Sequence, residues 1–347
     1  MDYPFKNLVF EGGGVKGIAY VGALSVLEEK GILQQIERVG GTSAGAINAV
    51  LLGLGYTREE MERILSGLDF RNFLDDSWGI ARDTDRLLTT FGWYRGDFFH
   101  QWIGKLIKDK AGTADATFRD LRDHGGFADM YFIGTNLSTG FGEVFSFEHT
   151  PRVRVADAVR ISMSIPLFFA SVENPRGDRY VDGGVLDNYP VKLFDREKYL
   201  AENDKVAHLR RPNYYERHNQ ELKQINPNAS PYVYNKETLG FRLDSAREIA
   251  VFRDGAEPEH HRIGDFFDFA WALIGTVLDS QSNQHLHSDD WQRTVYIDTL
   301  GVKTTDFSLT DERKRALVQS GIVFTQRYFE WWEDVDAGAI NRPGKAS

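Results

Sequence analysis

Apolar residues at the start of the chain come in short runs broken by glycine. Asn7-Leu8-Val9-Phe10 reads as a buried first strand, and a glycine-rich loop follows it. From Ile18 to Lys30 the apolar positions Ala19, Val21, Ala23, Leu24 and Leu27 recur at helical spacing, with Glu28 and Glu29 beside them and Gly31 as the stop. Ile36-Glu37-Arg38-Val39 has the content of a second short strand, and Ala44 to Leu54 is a run of good helix formers. Strand, loop, helix, strand, turn and helix form the opening of a parallel α/β sheet.

Residues 57–125 read as mostly helical. Thr57-Arg58-Glu59-Glu60 is a capping box ahead of Met61, Ile64 and Leu65, and Gly96 to Ala111 carries an amphipathic stripe of Phe98, Phe99, Trp102, Ile103, Leu106 and Ile107. Strand character returns at 129–136 and 143–147, with Ser138-Thr139-Gly140 as the turn, and Val153 to Met163 is a helix that stops before Pro166. Arg179-Tyr180-Val181 is a further short strand, Asp265 to Gln281 an apolar helix and Val295 to Asp298 a late strand. Leu309 to Trp332 is a last helix opened by Thr310. Between 195 and 265 the pattern dissolves into a polar stretch rich in Asn, Tyr, Arg and Glu, and segments of that length are often lids or binding loops. The expectation is one domain over 1–335, with a core at about 6–193 and 291–332, a lid-like insertion at about 195–290, and a frayed tail at 336–347.

Composition narrows the function. A hydrophobic content of 41% in 347 residues supports a packed core, and a net charge of −10 argues against nucleic-acid binding and against purely electrostatic docking on anionic membranes. The absence of cysteine removes disulfides, thiolate chemistry and cysteine-ligated metals. No signal-peptide pattern opens the sequence, and no run reaches the ~18 apolar residues of a membrane span. A cytoplasmic location follows as the expectation, with peripheral membrane contact and signal-less export left open.

The chemistry centres on Gly41-Thr42-Ser43-Ala44-Gly45. This G-x-S-x-G pattern is a nucleophile elbow: Gly41 and Gly45 permit a sharp strand-to-helix turn that exposes the Ser43 hydroxyl, next to free amides at a helix N-terminus. A serine hydroxyl needs an adjacent base. Upstream lies Glu11-Gly12-Gly13-Gly14-Val15-Lys16-Gly17, where the amides of Gly12, Gly13 and Gly14 can face an oxyanion and Lys16 can brace the loop. Downstream, Asp182-Gly183-Gly184 puts a carboxylate on a turn at a strand end. An aspartate with a pKa of about 3.9 is a weak base, so this role requires an apolar setting that raises it.

The order of these three motifs resembles the patatin-like phospholipase family, whose pattern is G-G-G-x-[KR]-G, then G-x-S-x-G, then D-G-G. Segments 134–140, 162–168 and 182–190 extend the resemblance, which covers about residues 6–193 and resumes weakly near 295–330. It implies a three-layer α/β/α sandwich with a mainly parallel sheet and an added helical or lid region. It also implies an acyl hydrolase acting on phospholipids, lysophospholipids or other fatty-acyl esters, with Ser43 and Asp182 as a dyad and no catalytic histidine. Nothing in that chemistry calls for a metal or cofactor, and whether a protein activator is needed stays open.

Other readings compete. Gly12-x-Gly14-x-x-Gly17 is also a literal dinucleotide fingerprint, with Glu37 near the expected acidic position. A histidine base could come from His208, His218, His260, His261, His285 or His287, all of which follow Asp182. His285 and His287 with Asp289 and Asp290 have the look of a metal site, against which a polar loop is the simpler reading. The stripes Phe98, Phe99, Trp102 and Phe266, Phe267, Phe269, Trp271, Leu273, Ile274 could line or gate an acyl groove or be plain core, and 208–218 could meet phosphate headgroups or be a solvated loop. A non-catalytic lipid-binding or assembly module on the same fold is the rival from another class.

Overall fold

The computed structural model describes residues 2–74, 87, 89–244, 257, 263–264, 269, 272–277, 289–304 and 306–343. Its strands are β1 (Asn7–Phe10), β2 (Arg38–Gly41), β3 (Gly92–Tyr94), β4 (Asp129–Asn136), β5 (Phe141–Phe145), β6 (Leu167–Phe169), β7 (Val172–Glu173), β8 (Arg179–Asp182), β9 (Leu209–Arg210), β10 (Tyr234–Asn235), β11 (Thr238–Asp244) and β12 (Thr294–Asp298). The main sheet runs β12-β11-β1-β2-β4 with every pair parallel, and β5, β7 and β8 extend it with antiparallel pairs.

Alternation along the strands sorts side chains onto two faces. Leu8, Phe10, Met130, Phe132, Leu239 and Phe241 belong to the larger core, which also takes the buried sides of helices Ala19–Glu29, Ala44–Gly53, Val155–Ser162 and Asp311–Glu333. Val9 and Tyr131 point to the other face, where Tyr189, Val191 and Phe194 close a smaller cluster. The helix Arg58–Ser66 begins with the expected capping box, Thr57 and Glu60 exchanging side-chain-to-backbone hydrogen bonds of 2.8 and 3.2 Å. Phe99 is buried, and Phe98 and Trp102 are packed against the same core, so this aromatic stripe is core rather than groove.

Two expectations change. Strand β11 lies inside the stretch read as an insertion, yet it pairs with β1 on one side and β12 on the other. Leu239, Phe241 and Leu243 do alternate there, but Arg242 and Asp244 are buried with them, and two charges hide a strand from a hydrophobic pattern. A buried ionic knot ties this stretch down. Arg293 grips Asp195 with both terminal nitrogens at 2.6 and 2.8 Å and Asp290 at 2.6 Å, while the Tyr215 hydroxyl donates to Asp195 at 2.6 Å. The tail is also held: fully buried Asn341 accepts from Trp332 Nε1 at 3.1 Å and donates to the Tyr328 hydroxyl at 2.9 Å. Residues 344–347 lie outside the described residues.

Several rival sites dissolve in this frame. Glu37 precedes β2, at the end of the strand opposite the glycine loop, and it pairs with Lys6 and Arg38 at 3.6 and 3.2 Å, so it cannot meet a ribose held by that loop. His208 bonds Glu237 at 2.7 Å at the foot of β11, and His218 bonds the Tyr214 carbonyl at 3.2 Å. Asp204, His208 and Glu237 have ligand-like spacing, but Lys6 already stands 3.6 Å from Asp204 and 4.0 Å from Glu237. Asp289 and Asp290 are engaged by Arg210 and Arg293, and Arg211 by Glu197. His260, His261, His285, His287, Phe266, Phe267 and Trp271 lie outside the described residues, and Phe269 is exposed.

Candidate active site

The carboxyl ends of β1 and β2 lie side by side, with Phe10 opposite Gly41, and each runs straight into one of the sequence motifs. After β2 the chain turns through Thr42 and Ser43 into the helix Ala44–Gly53. Ser43 takes φ 53° and ψ −125°, a left-handed backbone that a residue with a side chain adopts at a cost. The turn closes because two glycines leave room. A Cβ on Gly41 would lie 2.5 Å from the Gly45 backbone, and one on Gly45 would lie 2.2 Å from the Phe10 carbonyl oxygen.

Register brings Asp182 to the same place. Phe132 of β4 pairs with Gly41 of β2 and with Phe145 of β5, so β2 and β5 occupy opposite edges of β4. Gly134 pairs with Glu143 of β5 and Asp182 of β8, so β8 lies on the edge that β2 uses. The two strands therefore meet end to end along one edge, with Gly41 and Asp182 opposite residues two apart on β4. Gly183 turns against the Ile133 carbonyl, where a Cβ would come within 2.3 Å.

Asp182 is 2% exposed. Its Oδ1 accepts from the Gly184 amide at 2.8 Å, and its Oδ2 is buried with no hydrogen-bond partner among the described residues. Burial pushes the carboxyl up to about 7, against which the Gly184 amide and the Ser43 hydroxyl pull it down. Ser43 is close enough to act on that acidity but is not hydrogen-bonded to the carboxylate: its Oγ points to Met163 Sδ at 3.7 Å.

The glycine loop faces Ser43 from β1. A Cβ on Gly12 would be 3.0 Å from Ser43 Cβ and 2.3 Å from Asn188 Oδ1. The Gly12 amide donates to the Asn188 carbonyl at 3.0 Å, which removes it from the set of free donors expected from the sequence. Among the described residues, the amides of Gly13 and Gly14 are claimed by no acceptor. Gly14 has φ +56° and packs against the Thr304 carbonyl, so no other residue fits. The Lys16 side chain lies against Gly13. Burial raises the pKa of Glu11 to about 7, against which Arg242 and, more weakly, Lys16 pull it down. Glu11 accepts from the Leu243 amide at 2.8 Å and stands 3.5 Å from Arg242. This anchoring of the loop by β11 had no sequence signature, nor did the contacts of Ser162, Met163 and Asn188.

The family model for patatin-like phospholipase matches residues 8–195. The YqhO protein of Bacillus subtilis (strain 168) is 29% identical over 93% of this chain and 98% of its own length. A probable lipid hydrolase, 463L of Invertebrate iridescent virus 6, is 25% identical over 54% of this chain and 63% of its own. The crystal structure of VipD from Legionella pneumophila shares the fold at a TM-score of 0.56 and 19% identity, covering 94% of this chain and 67% of that one. A glycine loop, a strained serine elbow and a D-G-G turn converging at the strand ends, within a family match over more than half of the chain, place this protein in the patatin-like phospholipase family.

Proposed function

We propose that this protein is a serine acyl hydrolase of the phospholipase A or lysophospholipase kind, working through a Ser43–Asp182 dyad. The observation that carries the reading is the buried Asp182 Oδ2, which has no partner among the described residues and belongs to a carboxyl whose pKa is raised to about 7 beside a serine on a strained turn. A base of that strength suits catalysis near neutral pH. Asp182 takes the Ser43 proton as Oγ attacks the ester carbonyl carbon. The oxyanion lies against the Gly13 and Gly14 amides, and Lys16 braces their loop. Collapse breaks the ester bond, and the leaving alkoxide takes the proton from Asp182. Water, deprotonated by Asp182, then cleaves the acyl-enzyme, releasing the fatty acid and returning the proton to Ser43.

Such substrates reside in membranes. No helix among the described residues is long and apolar enough to cross one, so the reading has the enzyme meet lipid at the membrane surface. No step uses a metal, and EDTA is expected to leave the rate unchanged.

The test is fatty-acid release from mixed phospholipids and hydrolysis of a short-chain nitrophenyl ester by wild type, Ser43→Ala and Asp182→Asn, each checked for folding. Loss by at least about 10³-fold in both variants is expected. An active Asp182→Asn would point to another base. A folded wild type that neither turns over ester nor reacts with a fluorophosphonate would favour a non-catalytic lipid-binding module.

A further inference from the structure

The helix Val155–Ser162 ends against both members of the proposed dyad, and three consecutive residues there make three different contacts with it. Ser162, fully buried, accepts the Ser43 amide at Oγ, 3.1 Å away. Met163 places Sδ 3.7 Å from the Ser43 hydroxyl. The Ser164 carbonyl accepts the Asp182 amide at 2.8 Å. Arg160, one turn back, fixes this segment: its guanidinium meets the Ser164 hydroxyl and donates to the carbonyls of Arg95 and Ala170 at 2.6 and 3.1 Å.

The Ser162 contact stands out for a physical reason. Ser43 is the cap of the helix that follows it, so no helical carbonyl can take its amide, and its left-handed backbone turns that N–H away from the ordinary ladder. A buried donor left unpaired would favour relaxation of the turn. Where the nucleophile's amide has a side-chain oxygen as its acceptor, that oxygen sets the orientation of the elbow.

We propose that Ser162 is a positioning residue for the reaction: by accepting the Ser43 amide it holds the elbow in the strained conformation that aims Oγ between Met163 Sδ and the free oxygen of Asp182. Met163 is a soft, weak acceptor, so the hydroxyl rests there without being trapped and stays free to turn to Asp182, whose pKa it already lowers. The proposal rests on the dyad reading and adds to it a residue that touches neither substrate nor the proton in flight.

The experiment compares Ser162→Ala and Ser162→Thr with wild type and Ser43→Ala, using nitrophenyl ester kinetics, fluorophosphonate labelling and thermal unfolding. Ser162→Ala removes the acceptor without adding volume. It is expected to keep a cooperative transition and to lose about 10- to 100-fold in kcat and labelling rate, with KM within about twofold. Ser162→Thr restores the hydroxyl and is expected to recover most of the rate. The pH midpoint should stay where it is in wild type, because Asp182 keeps its own partners. A folded Ser162→Ala with kcat within twofold of wild type, or a loss confined to KM, overturns the proposal. So does a Thr variant as slow as the Ala variant. Should Ser162→Ala not fold, Ser162→Cys keeps the volume with a weaker acceptor, and labelling at the wild-type rate would be the refuting result. Activity in Ser43→Ala would instead dismiss the dyad itself.

Discussion

A carboxyl buried with one oxygen unpaired lowers stability wherever it is ionised. Asp182 in the unfolded chain titrates near 3.9, and in the fold near 7. Below about pH 4 both states hold the proton and the group is neutral to folding. Between 4 and 7 the unfolded chain releases it while the fold retains it, so stability falls as pH rises, and above 7 the loss is complete. Its upper limit is about 4 kcal/mol, from roughly three pH decades at about 1.36 kcal/mol each. Asp182→Asn is therefore expected to abolish activity and yet to unfold at higher urea at pH 8 than wild type, with the gain shrinking towards pH 5. With Asp182 as the proposed base, catalysis runs the other way, because a base works only when ionised: kcat/KM should rise with pH through a midpoint near 7. Glu11 lies at the root of the glycine loop with a similarly raised value, so the two need separating. Glu11→Gln should leave the midpoint of kcat/KM in place, and a midpoint that vanishes with Glu11 would assign the profile to the loop rather than the base.

At the scale of elements, the elbow is a packing solution between β1, β2 and one helix. Gly45 shows how tight it is, since its absent Cβ would fall 2.2 Å from the Phe10 carbonyl oxygen, a backbone atom of β1 that cannot rotate aside. Gly45→Ala should force helix and strand apart at a cost of about 1–3 kcal/mol or more in urea unfolding, and should slow fluorophosphonate labelling because the same shift moves Ser43. Gly142, in β5, has none of the described residues within 4 Å of the corresponding position, so Gly142→Ala should stay within about 0.5 kcal/mol of wild type. Equal effects at the two positions would refute the packing account. These elements are also where the sequence was most readable. Asn7–Phe10 and Asp129–Asn136 were legible as strands to the residue, because continuous apolar runs bounded by turn residues leave little choice. The elbow was legible because its geometry demands small residues at fixed spacing. The acceptor of the Ser43 amide was not, since nothing in Ser162-Met163-Ser164 says which strand end the segment will meet. The loss of Gly12 as a free donor was hidden for the same reason: Asn188 reaches it only through the fold.

At the scale of the molecule, the family match and the folded unit do not have the same boundary. The match ends at residue 195, while the sheet continues through β11 and β12, and β11 is the partner of β1 on the side away from the elbow. The helix Asp311–Glu333 then crosses Ala19–Glu29 at contact distance, where a Cβ on Gly22 would lie 1.9 Å from the Val318 carbonyl and one on Gly321 2.0 Å from the Ala19 carbonyl. Asp195 itself is half of the buried pair with Arg293, so a cut there leaves its carboxylate without its cation, a loss of the order of 3–5 kcal/mol for a buried pair. A polypeptide of residues 1–195 holds every motif of the proposed site and is nevertheless expected to fail as a folded unit. It would have an open β1 edge whose four residues are all buried in the whole chain, an uncovered face on Ala19–Glu29, and a glycine loop whose Glu11 has lost the Leu243 amide and Arg242. Differential scanning calorimetry should show one cooperative transition for the whole chain and none for the fragment, and a fluorophosphonate should label only the former. A fragment that melts cooperatively and reacts at Ser43 would mean that β11, β12 and the last helix are additions to a self-sufficient core, and that the buried Arg293–Asp195 pair joins two separately stable parts.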